Sequence, residues 1–207
     1  MKIVAVKIGS SVLLTQQNIL DESFIAHVAG QIIALKKKGI GVVLIISGAV
    51  ACGANVIGFA RGQTILKQVA AGIGQAYTVS MFHQIFSTKG LHIAQILLTK
   101  DLWKSPMKKQ MVHTVLLHYL KSGIVPVINE NDVIDLNSFG GNDFLAARVA
   151  MLLKVEHLLI LSTMAGSAHG VGGGDAKQKA LGMLKRENID AAIVDGTIQN
   201  IIVRSIV

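Results

Sequence analysis

Short apolar runs alternate with long amphipathic segments along the chain, and this alternation restricts the fold more than any other feature. The apolar runs are continuous, as expected of strands that are covered on both faces of a sheet. The amphipathic segments repeat apolar residues every three or four positions, which predicts helices. The predicted strands lie at 2–8, 41–46, 92–98, 124–128, 157–161 and 190–194.

Helix signals occupy the segments between these runs. Asp21 can cap a helix at 21–38, and Ser105 supplies an N-cap followed by a proline at the first helical position of another helix. Further helices are predicted after Ser47, at 63–88, 142–153 and 176–188, and in the tail. This order predicts an α/β fold, a mainly parallel central sheet with helices on both faces.

Composition narrows the class of protein. A length of 207 residues suits one domain, and the single cysteine, Cys52, fits a reducing cytoplasm. The net charge of +8 could indicate nucleic-acid binding, but the basic residues are scattered and aromatic residues make up only 4%. A base-stacking surface is therefore not expected. We expect a cytoplasmic protein without a signal peptide, a membrane span or a nucleic-acid partner.

Ligands of open α/β sheets bind beyond the carboxyl ends of the strands, so the residues that follow each strand are the candidates. After the first strand, Lys7 can lie along a phosphate oxygen, and the Gly9–Ser10 turn can direct N–H groups at an anion. Ser47 opens a helix N-terminus, which also suits an anion. The alternative for the Gly9–Ser10 segment is a plain turn, and the alternative for Ser47 is close helix–sheet packing. Neither a P-loop nor a G-x-G-x-x-G pattern is present, which counts against the commonest nucleotide-binding folds.

Two groups of polar residues lie between the predicted fourth and fifth strands. In 129–132, Asp132 could bind an ammonium group and the asparagines a carboxylate, but a cap-and-turn cluster is the alternative. Asn142 could bind a substrate, and Asp143 could hold two lysines by charge. The alternative for these two residues is N-capping of the helix that they begin.

A glycine-rich stretch at 170–174 leads into Asp175 and Lys177. Glycines, a helix N-terminus and a lysine together suit a polyphosphate, while a surface loop without a ligand is the alternative. The histidines lack the H-x-x-x-H and H-E-x-x-H spacings of zinc hydrolases. Lysines at corresponding strand ends, without a protein nucleophile, predict phosphoryl transfer assisted by Mg²⁺.

Seven strings extend this prediction, because together they resemble the glutamate 5-kinase family in order and over nearly the whole chain. The K-Q-x-A-A-x-x-G-Q and I-N-E-N-D strings distinguish this family from carbamate, acetylglutamate, uridylate and aspartate kinases, which have the same fold. The strings are VKIGSSVL at 6–13, ISGAVACG at 46–53, KQVAAGIGQ at 67–75, QILLTKDL at 95–102, GIVPVINEND at 123–132, FGGND at 139–143 and GVGGGDAK at 170–177.

The resemblance implies the three-layer αβα sandwich of the amino-acid kinase fold, as a single domain over 1–207. It implies ATP as cosubstrate, Mg²⁺ carried by ATP, and phosphorylation of the side-chain carboxylate of L-glutamate to L-glutamyl 5-phosphate, the first step of proline biosynthesis. It also implies a homodimer or homotetramer and feedback inhibition by proline. The remaining alternatives are another small-carboxylate kinase of this fold and a non-catalytic relative that binds a nucleotide or proline.

Site residues are likewise implied by the matching motifs. Lys7 and Lys177 would stabilise the transferring phosphoryl group, and Asp143 would orient both lysines. Glutamate would be held by Ser47, Asp132 and Asn142. The ATP site would comprise Lys7, Gly9, Ser10, Ser162, Thr163, Val171, Gly172, Gly173, Gly174, Asp175, Ala176 and Lys177.

The chain departs from the family pattern at two places. Gly141 stands where the family has an aspartate, in a G-D-N-D pattern. The family's acidic D-x-D-G-L-Y segment has no counterpart, because Thr163 leads directly into Met164. Either the protein lacks this adenine-side loop, or the sequence skips it; the second is favoured because the break falls where an exposed loop is expected. The RNA-binding-like C-terminal domain of many relatives also has no counterpart.

Overall fold

A computed structural model describes residues 1–58, 64–163 and 173–207, the side chains of residues 173 and 174 excepted. Its strands are all parallel and form one sheet. They are β1 (Lys2–Ile8), β2 (Ile40–Ile46), β3 (Ile93–Leu98), β4 (Val125–Glu130), β5 (His157–Ser162) and β6 (Asp190–Asp195), in the spatial order β3-β4-β2-β1-β5-β6. The predicted fold class is confirmed.

Helices cover both faces of this sheet. The predicted caps are confirmed: Asp21 accepts a hydrogen bond from the Phe24 N–H at 2.9 Å, and Ser105 accepts one from Lys108. In the described ranges, no helix is long and apolar enough to cross a membrane. The helices are α1 (Ser10–Leu13), α2 (Glu22–Lys37), α3 (Ala49–Ile57), α4 (Thr64–Ser87), α5 (Lys100–Lys104), α6 (Pro106–Lys121), α7 (Asn142–Leu153), α8 (Gly173–Lys185) and α9 (Ile201–Ile206).

Strand alternation separates two apolar cores. Along β1, the side chains of Val4, Val6 and Ile8 pack in one core with residues of α2, α4 and α9. Ile3 and Ala5 pack in the other core, with residues of α6, α7 and α8. Because side chains alternate along a strand, the next odd-numbered position of β1 also faces α7 and α8. That position is a lysine, and its surroundings form part of the site below.

The bounds of two elements differ from the sequence prediction by more than one residue. Strand β4 includes Asn129 and Glu130, which we expected after the strand, because their backbone positions stay in register with Leu97 and Leu98 of β3. Helix α8 runs over 173–185 rather than 176–188. The helix therefore begins within the glycine-rich stretch, at Gly173. The short helices α1 and α5 were not predicted.

Helices α3 and α4 approach each other unusually closely. A Cβ added to Gly53 would lie 1.8 Å from the Ala70 carbonyl oxygen, and one added to Gly74 would lie 1.8 Å from that of Ala49. Only glycine fits at these two crossing points. The contact explains the second glycine of the G-I-G-Q sequence in α4, Gly74. It also brings the following residue, Gln75, towards the end of β4.

Candidate functional site

The carboxyl ends of four neighbouring strands form one edge of the sheet, because β4, β2, β1 and β5 are adjacent and parallel. Lys7 lies near the end of β1, Ser47 directly after β2, Asn129 near the end of β4, and Ser162 at the end of β5. Polar groups at this edge of an open sheet are where a ligand is expected.

Two lysines and one aspartate form a charged cluster at this edge, namely Lys7, Asp143 and Lys177. The Lys7 ammonium lies 2.7 Å from Oδ1 of Asp143, and the Lys177 ammonium lies 3.6 Å from Oδ2. Lys7 and Asp143 are each only 5% exposed. Two positive charges face one negative charge, so with all three groups ionised the cluster carries a net charge of +1.

Burial makes this surplus charge costly. It lowers the pKa of Lys7, Asp143 partly opposes that shift, and the neighbouring Lys177 adds to the lowering. A buried cation is stabilised by a nearby anion. The charged cluster is therefore a site at which an anionic group would restore balance, and phosphate oxygens match the ammonium donors.

Neutral amides form a second group of contacts, the amide relay, made by Gln75, Asn129 and Asn142. The Asn142 Nδ2 donates to Asn129 Oδ1 at 2.8 Å and to the Ser47 hydroxyl at 3.3 Å. The Asn142 Oδ1 is buried and has no hydrogen-bond partner within the described part of the chain. An unpaired buried acceptor is costly, and a ligand that donates a hydrogen bond would remove that cost.

Sequence reasoning assigned no role to Gln75. It is 5% exposed, donates from Nε2 to the Glu130 carbonyl oxygen at 3.0 Å, and accepts from the Asn129 Nδ2 at 3.3 Å. The K-Q-x-A-A-x-x-G-Q string was a usable signal, but its partners lie more than fifty positions away. Only the fold brings them together.

Glu130 was also missed, and it fixes the loop between β4 and α7. The residue is 2% exposed, and its carboxylate accepts a hydrogen bond from the Phe139 N–H at 3.1 Å. Burial raises the pKa of Glu130 to about 7, while the hydrogen bond from Phe139 opposes the shift and the nearby Asp132 and Asp135 add to it. This carboxyl therefore changes its charge near neutral pH.

Asp132 lies apart from the other predicted glutamate ligands. Its Oδ1 accepts from the Asn137 N–H at 2.8 Å, and burial raises the pKa of Asp132. In the described residues no hydrogen bond joins it to Ser47 or Asn142. The cap-and-turn alternative therefore describes its observed contact, and its substrate role stays a prediction.

Gly141 caps helix α7 with its backbone, and neither Asn142 nor Asp143 acts as the N-cap. Its φ of +117° lies in the region that favours glycine. An aspartate at this position would be strained, so the departure from the family pattern agrees with the local backbone. Asn142 and Asp143 are left to face the amide relay and the charged cluster, respectively.

The predicted ATP residues occupy three stretches of the chain, at 7–10, 162–163 and 171–177. The Gly9 N–H donates to the Leu161 carbonyl oxygen at 3.0 Å, so it is not free for a phosphate, whereas Ser10 opens α1. The Ser162 carbonyl accepts from Gly196, and the Thr163 N–H donates to the Ser11 hydroxyl at 3.4 Å. The first turn of α8 contains Gly173, Gly174, Asp175 and Ala176, while Val171 and Gly172, like Met164, lie outside the described residues.

Comparisons with known proteins agree with this architecture. Residues 2–196 match the profile of the amino acid kinase family. The glutamate 5-kinase of Aquifex aeolicus is 38% identical over 166 residues, which cover 77% of this chain and 47% of the relative. The glutamate 5-kinase of a Geobacter species is 40% identical over 169 residues, covering 80% and 45%. The chain thus spans about half the length of the curated relatives it matches.

A solved structure supports the fold independently. The UMP kinase of Bacillus anthracis superimposes with a TM-score of 0.64 over 99% of this chain and 91% of its own, at 15% identity. At that identity the likeness concerns the fold alone. The resemblance to glutamate 5-kinases that the sequence strings suggested is confirmed by the curated relatives.

Proposed function

The chain belongs to the amino acid kinase family, and from that premise we propose that it transfers the γ-phosphoryl group of ATP to the side-chain carboxylate of L-glutamate. The products are ADP and L-glutamyl 5-phosphate, as in the first step of proline biosynthesis. The curated relatives named glutamate 5-kinase support this choice among the reactions of the family.

The observation that carries the proposal is the junction between the charged cluster and the amide relay. Asn142 and Asp143 are consecutive residues in the first turn of α7, and successive helical side chains point about 100° apart. One therefore joins the neutral amides while the other joins the two lysines. Such a junction can hold a polar substrate beside the place where a phosphoryl group is transferred.

The reaction balances without a protein nucleophile. A carboxylate oxygen of glutamate forms a bond to the γ-phosphorus, the bond from that phosphorus to the β–γ bridging oxygen breaks, and ADP leaves with the electron pair. Lys7 and Lys177 stabilise the negative charge of the phosphoryl oxygens, and Asp143 keeps both ammonium groups aimed at them. The remaining contribution is approximation of the two substrates.

The substrate roles follow the contacts of each residue. The unpaired Oδ1 of Asn142 suits the ammonium group of an amino acid, and the Ser47 hydroxyl suits a carboxylate. Asp132 is proposed as a second contact for the ammonium group. The ends of β1 and β5 and the first turn of α8 are proposed to bind ATP.

Magnesium is proposed to arrive with ATP rather than on a protein site. Among the described residues, no three histidine, cysteine, aspartate or glutamate side chains lie together in a way that could hold a metal ion. Asp143 is already engaged by both lysines. When bound, Mg²⁺ would neutralise charge on the phosphates.

We further propose a single kinase domain over 1–207, a cytoplasmic location, a homodimeric or homotetrameric state, and inhibition by proline. The oligomeric state and the inhibition by proline rest on the family resemblance alone, whereas chain length also favours one domain and the single cysteine also fits a cytoplasmic location. Each is open to a direct measurement: limited proteolysis, fractionation, sedimentation and inhibition of turnover by proline.

Coupled ADP release from the purified protein tests the proposal. ATP and Mg²⁺ are supplied with L-glutamate, and with L-aspartate and N-acetylglutamate as competing acceptors. We expect ADP release that depends on L-glutamate. Release that is faster with another acceptor would identify a different small-carboxylate kinase, and ATP or proline binding without turnover would identify a non-catalytic relative.

A further inference from the structure

Gln75 connects α4 to the end of β4, on the opposite face of the sheet from the charged cluster. Both ends of its buried amide are used: Nε2 donates to the Glu130 carbonyl, and Oε1 accepts from the Asn129 Nδ2. A side chain whose donor and acceptor both have buried partners is held in one orientation.

That orientation is passed on to Asn129. Because its Nδ2 faces Gln75, its Oδ1 faces the other way, where it accepts from the Asn142 Nδ2 at 2.8 Å and from the Glu130 N–H at 2.9 Å. A flipped Asn129 amide would place an NH₂ group against two donors. Gln75 therefore opposes the flip, although it lies outside the contacts of Asn142.

We propose that Gln75 is a positioning residue for substrate recognition, which acts through Asn129 to determine which end of the Asn142 amide stays unpaired. With the Asn142 Nδ2 engaged, its Oδ1 is left to accept from a ligand. The site thereby selects a group that donates hydrogen bonds, such as an ammonium, over one that only accepts. This inference rests on the proposed function, because it names the substrate group that the site recognises.

A merely structural role for Gln75 would be to hold the end of β4 through the Glu130 carbonyl. Gln68 provides the matched control, since it lies two turns earlier on α4 and its Nε2 donates to the Val133 carbonyl at 3.0 Å. Gln68 is half-exposed, and its hydrogen bond ends at the loop rather than at Asn129. Both glutamines can be changed to methionine, which keeps the side-chain length and removes the amide.

The kinetic test compares Gln75→Met and Gln68→Met with the wild type. We expect Gln75→Met to raise the KM for L-glutamate about tenfold, the effect of losing about one buried hydrogen bond, while the KM for ATP changes by less than about twofold. Gln68→Met should leave both values within about twofold. A proportional loss for both substrates in Gln75→Met would make the role structural and overturn the inference.

A double-mutant cycle tests the route through Asn142. In an Asn142→Ala background, the effect of Gln75→Met on the KM for L-glutamate should shrink to less than about twofold, because the group it positions is gone. An effect that stays about tenfold in that background would contradict the route.

Side-chain amide NMR gives a readout without turnover. The Asn142 NH₂ signals, identified by their loss in Asn142→Ala, should shift in Gln75→Met and stay in place in Gln68→Met. If the wild type shows no glutamate-dependent ADP release, the proposed function fails while this shift still supports the positioning of Asn142. Unchanged Asn142 signals in Gln75→Met would overturn the positioning role whatever the activity.

Discussion

The charged cluster and the amide relay lie side by side but are built on different principles. The charged cluster, on the α7 and α8 face, concentrates two lysines on one carboxylate and leaves a surplus positive charge. The amide relay extends from the α4 face and contains no charged side chain. One region is suited to charge that changes during a reaction, and the other to a fixed pattern of donors and acceptors.

The difference predicts how the two regions fail. A buried charge acts most strongly on the transition state, where phosphoryl charge is redistributed, so damage to the charged cluster should appear in kcat. An oriented amide contacts the bound substrate before and during the reaction, so damage to the relay should appear mainly in KM. Variants of each region therefore test whether changes in kcat and changes in KM can be produced separately.

The largest expected effect is that of Lys177→Ala. Loss of this ammonium should lower kcat by about 10²- to 10³-fold while calorimetric binding of L-glutamate changes by less than about threefold. Lys179→Ala, on the exposed side of the same helix, is the control and should retain turnover. A near-normal kcat in Lys177→Ala would show that Lys177 does not stabilise the transferring phosphoryl group.

Asn142→Ala tests the other region. It should raise the KM for L-glutamate by about tenfold to hundredfold and lower kcat by less, because it deletes a ground-state contact and removes one of the two hydrogen bonds that the Asn129 oxygen accepts. Asn55→Ala removes an exposed amide from α3 and should change neither constant. A loss confined to kcat would show that the amide relay acts on the same step as the charged cluster. That result would contradict the proposed difference between the two regions.

Gly141→Ala should affect both regions together, because Gly141 caps the helix that begins with Asn142 and Asp143. Its positive φ should cost about 1–3 kcal/mol with a Cβ present, which corresponds to a fall in Tm of about 3–10 °C. Gly182→Ala is the control, since a Cβ there meets nothing within 4 Å and alanine favours the helix. An unchanged Tm in Gly141→Ala would show that the backbone at this position is not restrictive.

Glu130→Gln should produce the smallest effect, a change in the pH dependence of stability. The folded pKa of about 7 lies above the ordinary glutamate pKa of 4.5, so between these values the folded state binds more protons than the unfolded state. Stability from this group is complete below pH 4.5 and is lost as the pH rises through about 7, with a slope of at most about 1.4 kcal/mol per pH unit.

The measurement is the Tm of wild type and Glu130→Gln between pH 5 and 8. The wild-type Tm should fall relative to that of the variant as the pH rises, whereas the exposed Glu187→Gln should run parallel to the wild type. Parallel curves for Glu130→Gln would show that the carboxyl has an ordinary pKa, and its anchoring of the β4–α7 loop would then be independent of pH.

The fold was largely predictable because its signals are local. Each strand is a short apolar run, and the Asp21 and Ser105 caps lie within three residues of their partners. The polar end of β4 was not predictable in this way. Asn129 and Glu130 resemble a turn in the sequence, and only the fold shows the buried hydrogen bonds that they make with Gln75, more than fifty positions earlier, and with Phe139 in the following loop.

The candidate site likewise has parts that the sequence predicts and parts that only the fold brings together. Alternation along β1 already favours one face for Lys7, but its pairing with Asp143 depends on how β1 and α7 pack. Motif resemblance singled out Lys177 as well, without its distance from the carboxylate. The amide relay could not be assembled from spacing, because side chains more than fifty positions apart orient one another only in the folded chain.

The most direct test of the account is chemical trapping of its product. The charged cluster and the amide relay together should yield an acyl phosphate on the glutamate side chain, which hydroxylamine converts to a hydroxamate. We predict glutamyl hydroxamate in proportion to ADP release in the wild type, and none above background in Lys177→Ala. Glutamate-dependent ADP release without hydroxamate would show that the carboxylate is not the phosphoryl acceptor. It would also contradict the separate roles proposed for the charged cluster and the amide relay.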